Sequence, residues 1–415
     1  MEQPLIHPIP NDCDVMVIGS GPAGSACATR LASQGLDVLL VDQQVHPRDK
    51  ICGDALIPDA LSALRRLGLY DQVMQQAHQL HHLTLFGPHS GPLNIPASVA
   101  VMPRRLLDNM LCQAAVRAGA RLLAPLKFVF PMVQDGRVVG AQLQDHQGQA
   151  LQIRAKWLIL ATGAQPHPLQ AVGLCLRREP SGIALRGYIR HAGLTSEITS
   201  MQFVCKKALG RGYGWIFPGP DDVFNVGVGL ILDNLKTSKP DRPVQRNLHQ
   251  LFQAFCDSHA PAAQLVREGD WVQPLRGAPL RCSLQGAEVA RSGLLVTGEA
   301  VGSTYSLTGE GIGKALETGM LCADALLAGG RAVPDAATDL SVCTQYRASL
   351  QALSPRYEVY ERANQIYTHP WLMDLLIWRA RRSPRVLQHM SGLINETSDP
   401  ARLFTWRGLR RLALG

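Results

Sequence analysis

The 415-residue sequence lacks several features that would assign it to a class at once. Aromatic residues make up only 6% of it, and no run of about eighteen apolar residues offers a membrane-spanning helix. The ten cysteines lack the paired spacing of a zinc site, so we expect buried free thiols and no metal. The first residues have neither a basic start nor an apolar signal core, which predicts a cytoplasmic location.

The net charge of +8 is unevenly distributed. Residues 379–415 hold eight arginines, no lysine and two acidic residues, so the rest of the chain is nearly neutral. We therefore predict no nucleic-acid partner. Near the end, residues 400–415 would form an amphipathic helix. Its apolar face would carry Leu403, Trp406, Leu409 and Leu412, and its basic face would carry Arg407, Arg410 and Arg411. Such a helix either lies peripherally on the inner face of a membrane or docks on the protein's own core.

The first motif spans residues 14–42 and reads strand, tight turn, helix, strand. Its glycines have G-x-G-x-x-G spacing, and an acidic residue ends the second strand. The residues concerned are Gly19, Gly21, Pro22, Ala23, Gly24 and Asp42. In dinucleotide-binding proteins, these glycines allow the turn, the approach of a pyrophosphate and close helix–strand packing, while the acid accepts hydrogen bonds from a ribose. The alternative is a plain strand–helix–strand unit whose glycines only pack.

A second glycine-rich motif lies far along the chain, at residues 293–319, between an apolar strand and a helix. Its residues of interest are Gly298, Glu299, Gly309, Gly311, Ile312 and Gly313. One nucleotide site built from both ends of the chain suggests a long, two-ended cofactor, which predicts FAD. Backbone N–H groups at the start of the helix would then point at the flavin ring. A glycine-rich helix cap is the alternative, but it accounts for fewer of the glycines.

Further segments carry a family resemblance. They are PRDKICGDALIPDALSALRRLG (47–68), MPRRLLDNMLCQAAVRAGA (102–120) and GYGWIFPGPDDVFNVGVG (212–229). With the two glycine motifs, they make the chain resemble FAD-dependent oxidoreductases of the geranylgeranyl reductase type, within the class built like aromatic hydroxylases. The resemblance spans most of the chain.

The resemblance implies an α/β fold with a glutathione-reductase-like Rossmann domain for FAD. We expect this domain to be discontinuous, over residues 1–78, 100–178 and 285–340. Residues 79–99 and 179–284 then form a substrate domain built on an antiparallel sheet, because their strand patterns alternate. Residues 341–415 form a C-terminal helical region.

The resemblance also implies roles for single residues. Arg48 and Lys50 would hold the cofactor's phosphates or ribityl chain, and Arg104 would contact FAD. Cys52, Gly53 and Asp54 would lie beside the ring, and a further group would wall the substrate cavity: Tyr213, Trp215, Phe217 and Pro218. Each role has an alternative. The basic residues 48 and 50 suit a solvated loop, Arg104 suits an ion pair with Asp108, and the aromatics suit an ordinary strand core.

Two positions depart from the family pattern. Glu299 stands where the family has an aspartate that bonds the ribityl chain, and Thr162 stands where aromatic hydroxylases carry an aspartate linked to FAD and NADPH. The loss of that charge leaves the electron donor open between NAD(P)H and a reduced partner protein. His167, which follows, is either a general base near the ring or a solvated loop residue.

Three functions remain open at this level. In the first, an FAD-dependent reductase transfers hydride to a double bond of an apolar, isoprenoid-like substrate. In the second, a flavin-dependent monooxygenase hydroxylates an aromatic substrate that is small or carried on a peptide, as in cofactor maturation. In the third, a flavoprotein serves without catalysis as an assembly partner. The aromatic wall favours the first, and catalytic residues beyond the candidates Tyr213, Trp215, Phe217, Cys52 and His167 are not predicted.

Overall fold

A computed structural model describes residues 9–232, 247–285, 287–330, 335–364 and 369–395, which form two eight-stranded sheets and the helices that cover them. The strands are β1 (Asp12–Ile18), β2 (Val38–Val41), β3 (Ala55–Leu56), β4 (His78–Phe86), β5 (Pro92–Val101), β6 (Arg121–Leu123), β7 (Lys127–Gln134), β8 (Arg137–Gln144), β9 (Ala150–Leu160), β10 (Gly182–Arg190), β11 (Met201–Val204), β12 (Gly212–Pro218), β13 (Val223–Ile231), β14 (Asp270–Leu280), β15 (Ala290–Arg291) and β16 (Leu294–Val296). The α-helices are α1 (Pro22–Ser33), α2 (Pro58–Arg66), α3 (Tyr70–Met74), α4 (Arg104–Arg117), α5 (Pro166–Ala171), α6 (Leu248–Ser258), α7 (Ala260–Glu268), α8 (Ile312–Ala328), α9 (Ala336–Ala363), α10 (Pro370–Arg382) and α11 (Pro384–Ile394). No described helix is long and apolar enough to cross a membrane.

The first sheet has a parallel core in the order β16-β9-β1-β2-β6, extended by antiparallel β15 and by the β7–β8 hairpin. Its central strands are buried on both faces, which explains why β1 and β2 read as continuous apolar runs. The α/β fold with a Rossmann-type nucleotide-binding sheet, expected from the front motif, is confirmed.

The second sheet runs β14-β10-β13-β12-β11-β4-β5-β3. Every pair is antiparallel except β4 and β11, which are parallel with Leu83 opposite Met201. The antiparallel sheet expected from β10, β11, β12 and β13 is present, and the one parallel pair joins β11 to β4. These two strands are separated by most of the first sheet's chain, so no hairpin fixes their relative direction.

The strand pairing also bears on the domain boundaries. β3 lies within residues 1–78 but pairs with β5 in the second sheet, and β5 runs on to Val101. The segment around residue 55 thus passes from the first sheet to the second. The remaining boundaries stay a prediction.

Helices α1 and α8 bring the two glycine motifs together. A β-carbon at Gly319 would lie 2.2 Å from the carbonyl oxygen of Ala23, and one at Gly298 would lie 2.6 Å from the Ala23 side chain. Because such contacts exclude any side chain, glycine at these positions allows the helices and the end of β16 to pack closely. Motifs almost 280 positions apart in the sequence become neighbours.

The described part of the C-terminal region is helical, as expected. α9 packs against α8, and α10 and α11 pack against β5 at one end of the second sheet. Asp374 of α10 accepts hydrogen bonds from the amide and ring of His89 and from the amide and hydroxyl of Ser90, in the β4–β5 turn. The amphipathic helix predicted within residues 400–415 lies outside the described residues.

Candidate active site

A single cavity of about 1420 Å³ runs between the two sheets. Since ligand pockets usually measure about 300–1,000 Å³, it has room for a large cofactor and a second molecule. Its walls include most of the residues singled out in the sequence: Gly19, Gly21, Pro22, Ala23, Asp42, Arg48, Lys50, Cys52, Gly53, Asp54, Arg104, Thr162, His167, Tyr213, Trp215, Phe217, Glu299, Gly309, Gly311 and Ile312. Gly24, Gly298, Gly313 and Pro218 stand behind this wall.

The three front glycines have different surroundings. Gly19 has φ +103°, and a β-carbon there would lie 2.4 Å from the carbonyl oxygen of Ala161. A β-carbon at Gly24 would meet the Gly19 oxygen at 1.8 Å. At Gly21 the nearest atoms would be guanidinium nitrogens of Arg48 and Arg104, at 3.7 and 4.0 Å. Gly19 and Gly24 therefore serve the turn and its packing, while Gly21 opens onto a space that two arginines border.

Asp42 lies at the end of β2 and is buried. Its Oδ2 accepts hydrogen bonds from the amide and hydroxyl of Ser20, at 2.9 and 2.7 Å, and pairs with Arg48 at 3.3 Å. Burial raises the pKa of Asp42, but Arg48 and the Ser20 hydrogen bonds outweigh it, and the net pKa lies below the ordinary value. The carboxylate is thus ionised at neutral pH, as an acceptor of ribose hydroxyls must be.

His46 was not found from the sequence. Its Nε2 lies 2.6 Å from the Ser20 hydroxyl, and its buried Nδ1 has no hydrogen-bond partner within the described chain. Burial and then the charge of Arg48 lower the pKa of His46, so the imidazole is neutral at pH 7. His46 does not itself line the cavity, and its contact with Ser20 supports the Asp42 carboxylate from behind.

Arg104 makes the ion pair with Asp108 that its sequence position suggested, and its contact with FAD stays a prediction. Its fork donates to Asp108 at 2.6 and 2.9 Å, one helical turn on, and it also faces the cavity. Asp108 is fully buried and binds Arg48 too, at 3.1 Å. One carboxylate therefore orients two guanidinium groups toward the space opened by Gly21.

At the other end of the cofactor region, Glu299 lies at the end of β16. Its Oε2 is 3.8 Å from Lys50 Nζ, and both side chains are part-exposed to the cavity. Glutamate at this position thus faces the cavity as the family's aspartate is expected to, with Lys50 as its counter-charge.

The loop at residues 309–313 corrects one expectation. The sequence suggested that its glycines let the backbone approach a flavin ring. In the structure, β-carbons on Gly309, Gly311 and Gly313 would instead meet the Tyr213 hydroxyl at 2.5 Å, Thr304 Oγ1 at 2.7 Å and Asp59 Oδ2 at 2.1 Å. The glycines make room for protein side chains, while the loop and Ile312 still line the cavity.

A buried polar network ties the loop at residues 48–54 to the second sheet. Arg186 of β10 is fully buried and donates to the carbonyls of Cys52 and Lys50, at 3.2 and 3.1 Å, and to Asp49 at 3.0 Å. Asn225 of β13 donates to the Cys52 carbonyl at 2.7 Å. These strands hold a loop that lies more than 130 positions earlier. The only signal of this network in the sequence was the charge of Arg186 inside the otherwise apolar strand β10.

Asp54 is the most enclosed carboxylate of this network. It has φ +65°, and its side chain accepts from Tyr188 Oη and from Asn225 Nδ2, the latter at 2.8 Å. Burial raises the pKa of Asp54 to about 6, although Arg186 and the hydrogen bonds oppose the rise. Asp54 thus fixes the loop at the cavity wall.

The aromatic residues of β12 alternate on the strand, so Tyr213, Trp215 and Phe217 face the cavity together. The ring of Phe217 lies 3.1 Å from a β-carbon placed on Gly53, and Trp215 Nε1 donates to Asn225 at 2.8 Å. Beyond them the wall is apolar and comes from both the second sheet and helices α10 and α11: Leu83, Leu85, Ile95, Phe203, Met373, Leu376, Met390, Leu393 and Ile394.

Two further predicted positions lie on the far side of the cofactor region. Thr162 follows β9, and its buried Oγ1 has no hydrogen-bond partner within the described chain. His167, in the short helix α5, is exposed at the cavity edge. The Thr162 hydroxyl is a polar group that a bound ligand would satisfy. His167 has the exposure of a solvated residue.

These residues fit FAD. The space at Gly21, bordered by Arg48 and Arg104, suits a pyrophosphate, and ionised Asp42 suits a ribose. The N-termini of α1 and α8 have no side-chain cap among the described residues, so their backbone N–H groups can bind the cofactor. Lys50, Glu299, Thr162 and the 309–313 loop border the region expected for the ring. When bound, FAD would supply either hydride transfer or the activation of O₂.

A cavity that joins such a nucleotide site to an apolar chamber defines an FAD-dependent oxidoreductase. The sequence model of the FAD binding domain family matches residues 12–263. The menaquinone reductase of Mycolicibacterium smegmatis is 33% identical over 76% of this chain and 77% of that protein. A digeranylgeranylglycerophospholipid reductase of Methanosphaera stadtmanae is 26% identical, over 74% and 76%.

Among solved structures, a geranylgeranyl bacteriochlorophyll reductase-like protein of Thermoplasma acidophilum matches with a TM-score of 0.65 at 19% identity, over 97% of this chain and 96% of that one. This likeness shows a shared fold. The chain belongs to the FAD-dependent oxidoreductases of the geranylgeranyl reductase type. The family resemblance and the enzyme class inferred from the sequence are confirmed.

Proposed function

We propose that the protein reduces a carbon–carbon double bond of an isoprenoid substrate. The double bond gains a hydride by way of FAD and a proton, and the two electrons come from NAD(P)H or a reduced partner protein. The observation that carries the proposal is the shape of the cavity. One continuous space leads from the cofactor-fitting residues to an end walled by aliphatic, methionine and aromatic side chains.

The apolar end is built for a long substrate without charge. Sheet residues such as Leu83 and Ile95 form one side, and Met373 and Met390 of the C-terminal helices form another. Methionine adapts to irregular flexible chains. Burying an isoprenoid here removes apolar surface from water, at about 25 cal/mol for each Å² buried.

The aromatic wall positions the substrate relative to the cofactor. Tyr213, Trp215 and Phe217 are held by one another and by Asn225, so they present a rigid surface between the two parts of the cavity. Closeness to the ring matters because hydride transfer needs reacting atoms about 3–3.5 Å apart. The names of two relatives, a menaquinone reductase and a digeranylgeranylglycerophospholipid reductase, support a reductase on a substrate of this kind.

Anaerobic reoxidation of the bound flavin tests the proposal. The holoprotein is reduced with dithionite, excess reductant is removed, and geranylgeranyl compounds that carry no quinone ring are added without air, so that only a double bond can accept the electrons. We expect the oxidised flavin spectrum to return. A flavin that stays reduced with every prenyl compound, yet hydroxylates an aromatic substrate with an oxygen atom from O₂, would establish the monooxygenase instead.

A further inference from the structure

Helix α10 carries two tryptophans on the side that faces away from the protein. Trp371 is 61% exposed and Trp378 is 45% exposed. Seven positions apart, they share one side of the helix, with partly exposed Leu375 between them. Indole rings left in solvent on a defined stripe need an explanation, because large apolar side chains grouped on a surface usually mark a contact site.

The opposite side of the same helix forms the cavity wall. Met373 and Leu376 line the apolar chamber, and Ile377 and Ala380 are buried beneath the helix. One helix, about 10 Å across, therefore separates the substrate chamber from the outside. The tryptophan stripe lies directly behind the residues that would touch a substrate.

The charges around the stripe are positive. Residues 379–385 contain four arginines and no acidic residue. The guanidinium of Arg382 lies 4.5 Å from the Trp378 ring centre. The acid of this helix, Asp374, is already bonded to the β4–β5 turn. Tryptophan prefers the headgroup level of a bilayer, and arginine is attracted to anionic lipid phosphates.

We propose that this outer face of α10, defined by Trp371, Leu375, Trp378 and Arg382, docks on an anionic lipid bilayer. Docking places the chamber behind Met373 and Leu376 at the membrane surface, so that a lipid substrate passes from the bilayer into the cavity past α10. The docking rests on the exposed residues alone. The passage of substrate rests also on the proposed function.

Co-sedimentation of the full-length holoprotein with vesicles tests the docking. Vesicles of phosphatidylcholine with phosphatidylglycerol are compared with phosphatidylcholine alone. We expect the protein to bind the anionic vesicles, and the double variant W371S/W378S to lose that binding while it keeps its FAD. The matched control is Phe130→Ser, which removes an exposed aromatic ring, 55% exposed, from the first sheet and should bind like the unaltered protein.

A charge-reversal variant, at Arg382 of this face and at exposed Arg385 just beyond it in α11, tests the positive charge without touching the tryptophans. R382E/R385E should weaken binding to anionic vesicles by more than about tenfold, since each basic residue near such a surface contributes a factor of roughly five. Wild-type binding by both W371S/W378S and R382E/R385E would overturn the proposal, as would absence of binding by the unaltered protein. Loss of binding only on reversal of Arg407, Arg410 and Arg411 would assign the membrane contact to the tail instead. A change of W371S/W378S from dimer to monomer, with lipid binding intact, would identify a second copy as the occupant.

A parallel activity measurement separates this proposal from the proposed function. In detergent, W371S/W378S should be reoxidised by a geranylgeranyl compound as fast as the unaltered protein, and in vesicles more slowly. No reoxidation of the unaltered protein in detergent would contradict the reductase and leave the vesicle-binding result to decide the docking alone.

Discussion

The side-chain amide of Asn225 donates one hydrogen bond to the carbonyl oxygen of Cys52, at 2.7 Å, and another to Asp54, at 2.8 Å. Its oxygen accepts from Trp215 Nε1. A single buried amide therefore joins the loop at residues 48–54, the aromatic wall and strand β13. Together with Arg186, this amide fixes the position of the loop relative to the aromatic wall.

Replacing Asn225 with alanine should lower the free energy of unfolding by about 2–3 kcal/mol, because buried partners lose their hydrogen bonds and no water replaces them. Urea denaturation of the holoprotein measures the change. Asn94→Ala is the control, since that exposed side chain on β5 of the same sheet accepts a single hydrogen bond, from the Thr84 hydroxyl, and its loss should cost only about 1 kcal/mol. Equal losses for the two variants would show that the network does not hold the loop.

Asp54 should make stability depend on pH. Its folded pKa of about 6 exceeds the ordinary carboxyl value of 3.8, so the folded protein binds more protons between these values. The stability that this group contributes is thus fully present below about pH 4 and is lost as the pH rises through about 6, by up to about 3 kcal/mol. Asp54→Asn lacks this titration.

The difference in unfolding free energy, Asp54→Asn minus unaltered protein, should therefore increase between pH 4 and pH 7. Urea midpoints at several pH values provide it, and the comparison cancels the titration of all other groups. A difference that is constant with pH would mean that Asp54 titrates normally in the folded state.

Gly21→Val should abolish FAD binding without unfolding the protein. The valine would occupy the space beside Arg48 and Arg104, where a pyrophosphate fits, and its β-carbon meets no atom closer than 3.7 Å. The flavin absorbance per chain measures occupancy, and circular dichroism checks the fold. Gly24→Ala makes the contrast, because its β-carbon would overlap the Gly19 carbonyl and should destabilise the fold itself. Full flavin occupancy in Gly21→Val would refute the assigned site.

Leu376→Trp should shorten the apolar chamber. It lines the cavity on α10, so a larger ring there should slow reoxidation by geranylgeranyl compounds by roughly tenfold or more, and leave the shorter geranyl compounds less affected. Leu375→Trp, one position along on the outer side of the helix, is the matched control, and both variants are assayed in detergent so that docking on lipid plays no part. If Leu376→Trp slowed reoxidation by geranylgeranyl and geranyl compounds equally, the substrate would bind elsewhere.

The nucleotide half of this site could be predicted because its signals are local. The front turn, α1 and Asp42 fall within one segment, and the glycines at 309–313 mark the start of α8. What each glycine touches did not follow, since Gly309 contacts Tyr213 only after the two sheets come together.

The substrate half depends on contacts between distant segments. Arg186 and Asn225 belong to strands whose alternation predicted the sheet, but not the loop that their polar groups hold. The parallel pairing of β4 with β11 and the packing of α10 over the cavity also depend on contacts between distant segments, so the sequence did not predict them. Periodicity shows which side of a helix is buried without showing what lies against it.

Analysis of the product after return to air tests the central claim most directly. The holoprotein with a reductant converts a prenylated quinone without air, and the extracted lipid is then reoxidised and weighed by mass spectrometry. Reduction of a side-chain double bond predicts a product that stays two hydrogens heavier than the starting quinone. A product that returns to the starting mass was reduced only in its ring, and that result would contradict the double-bond reductase.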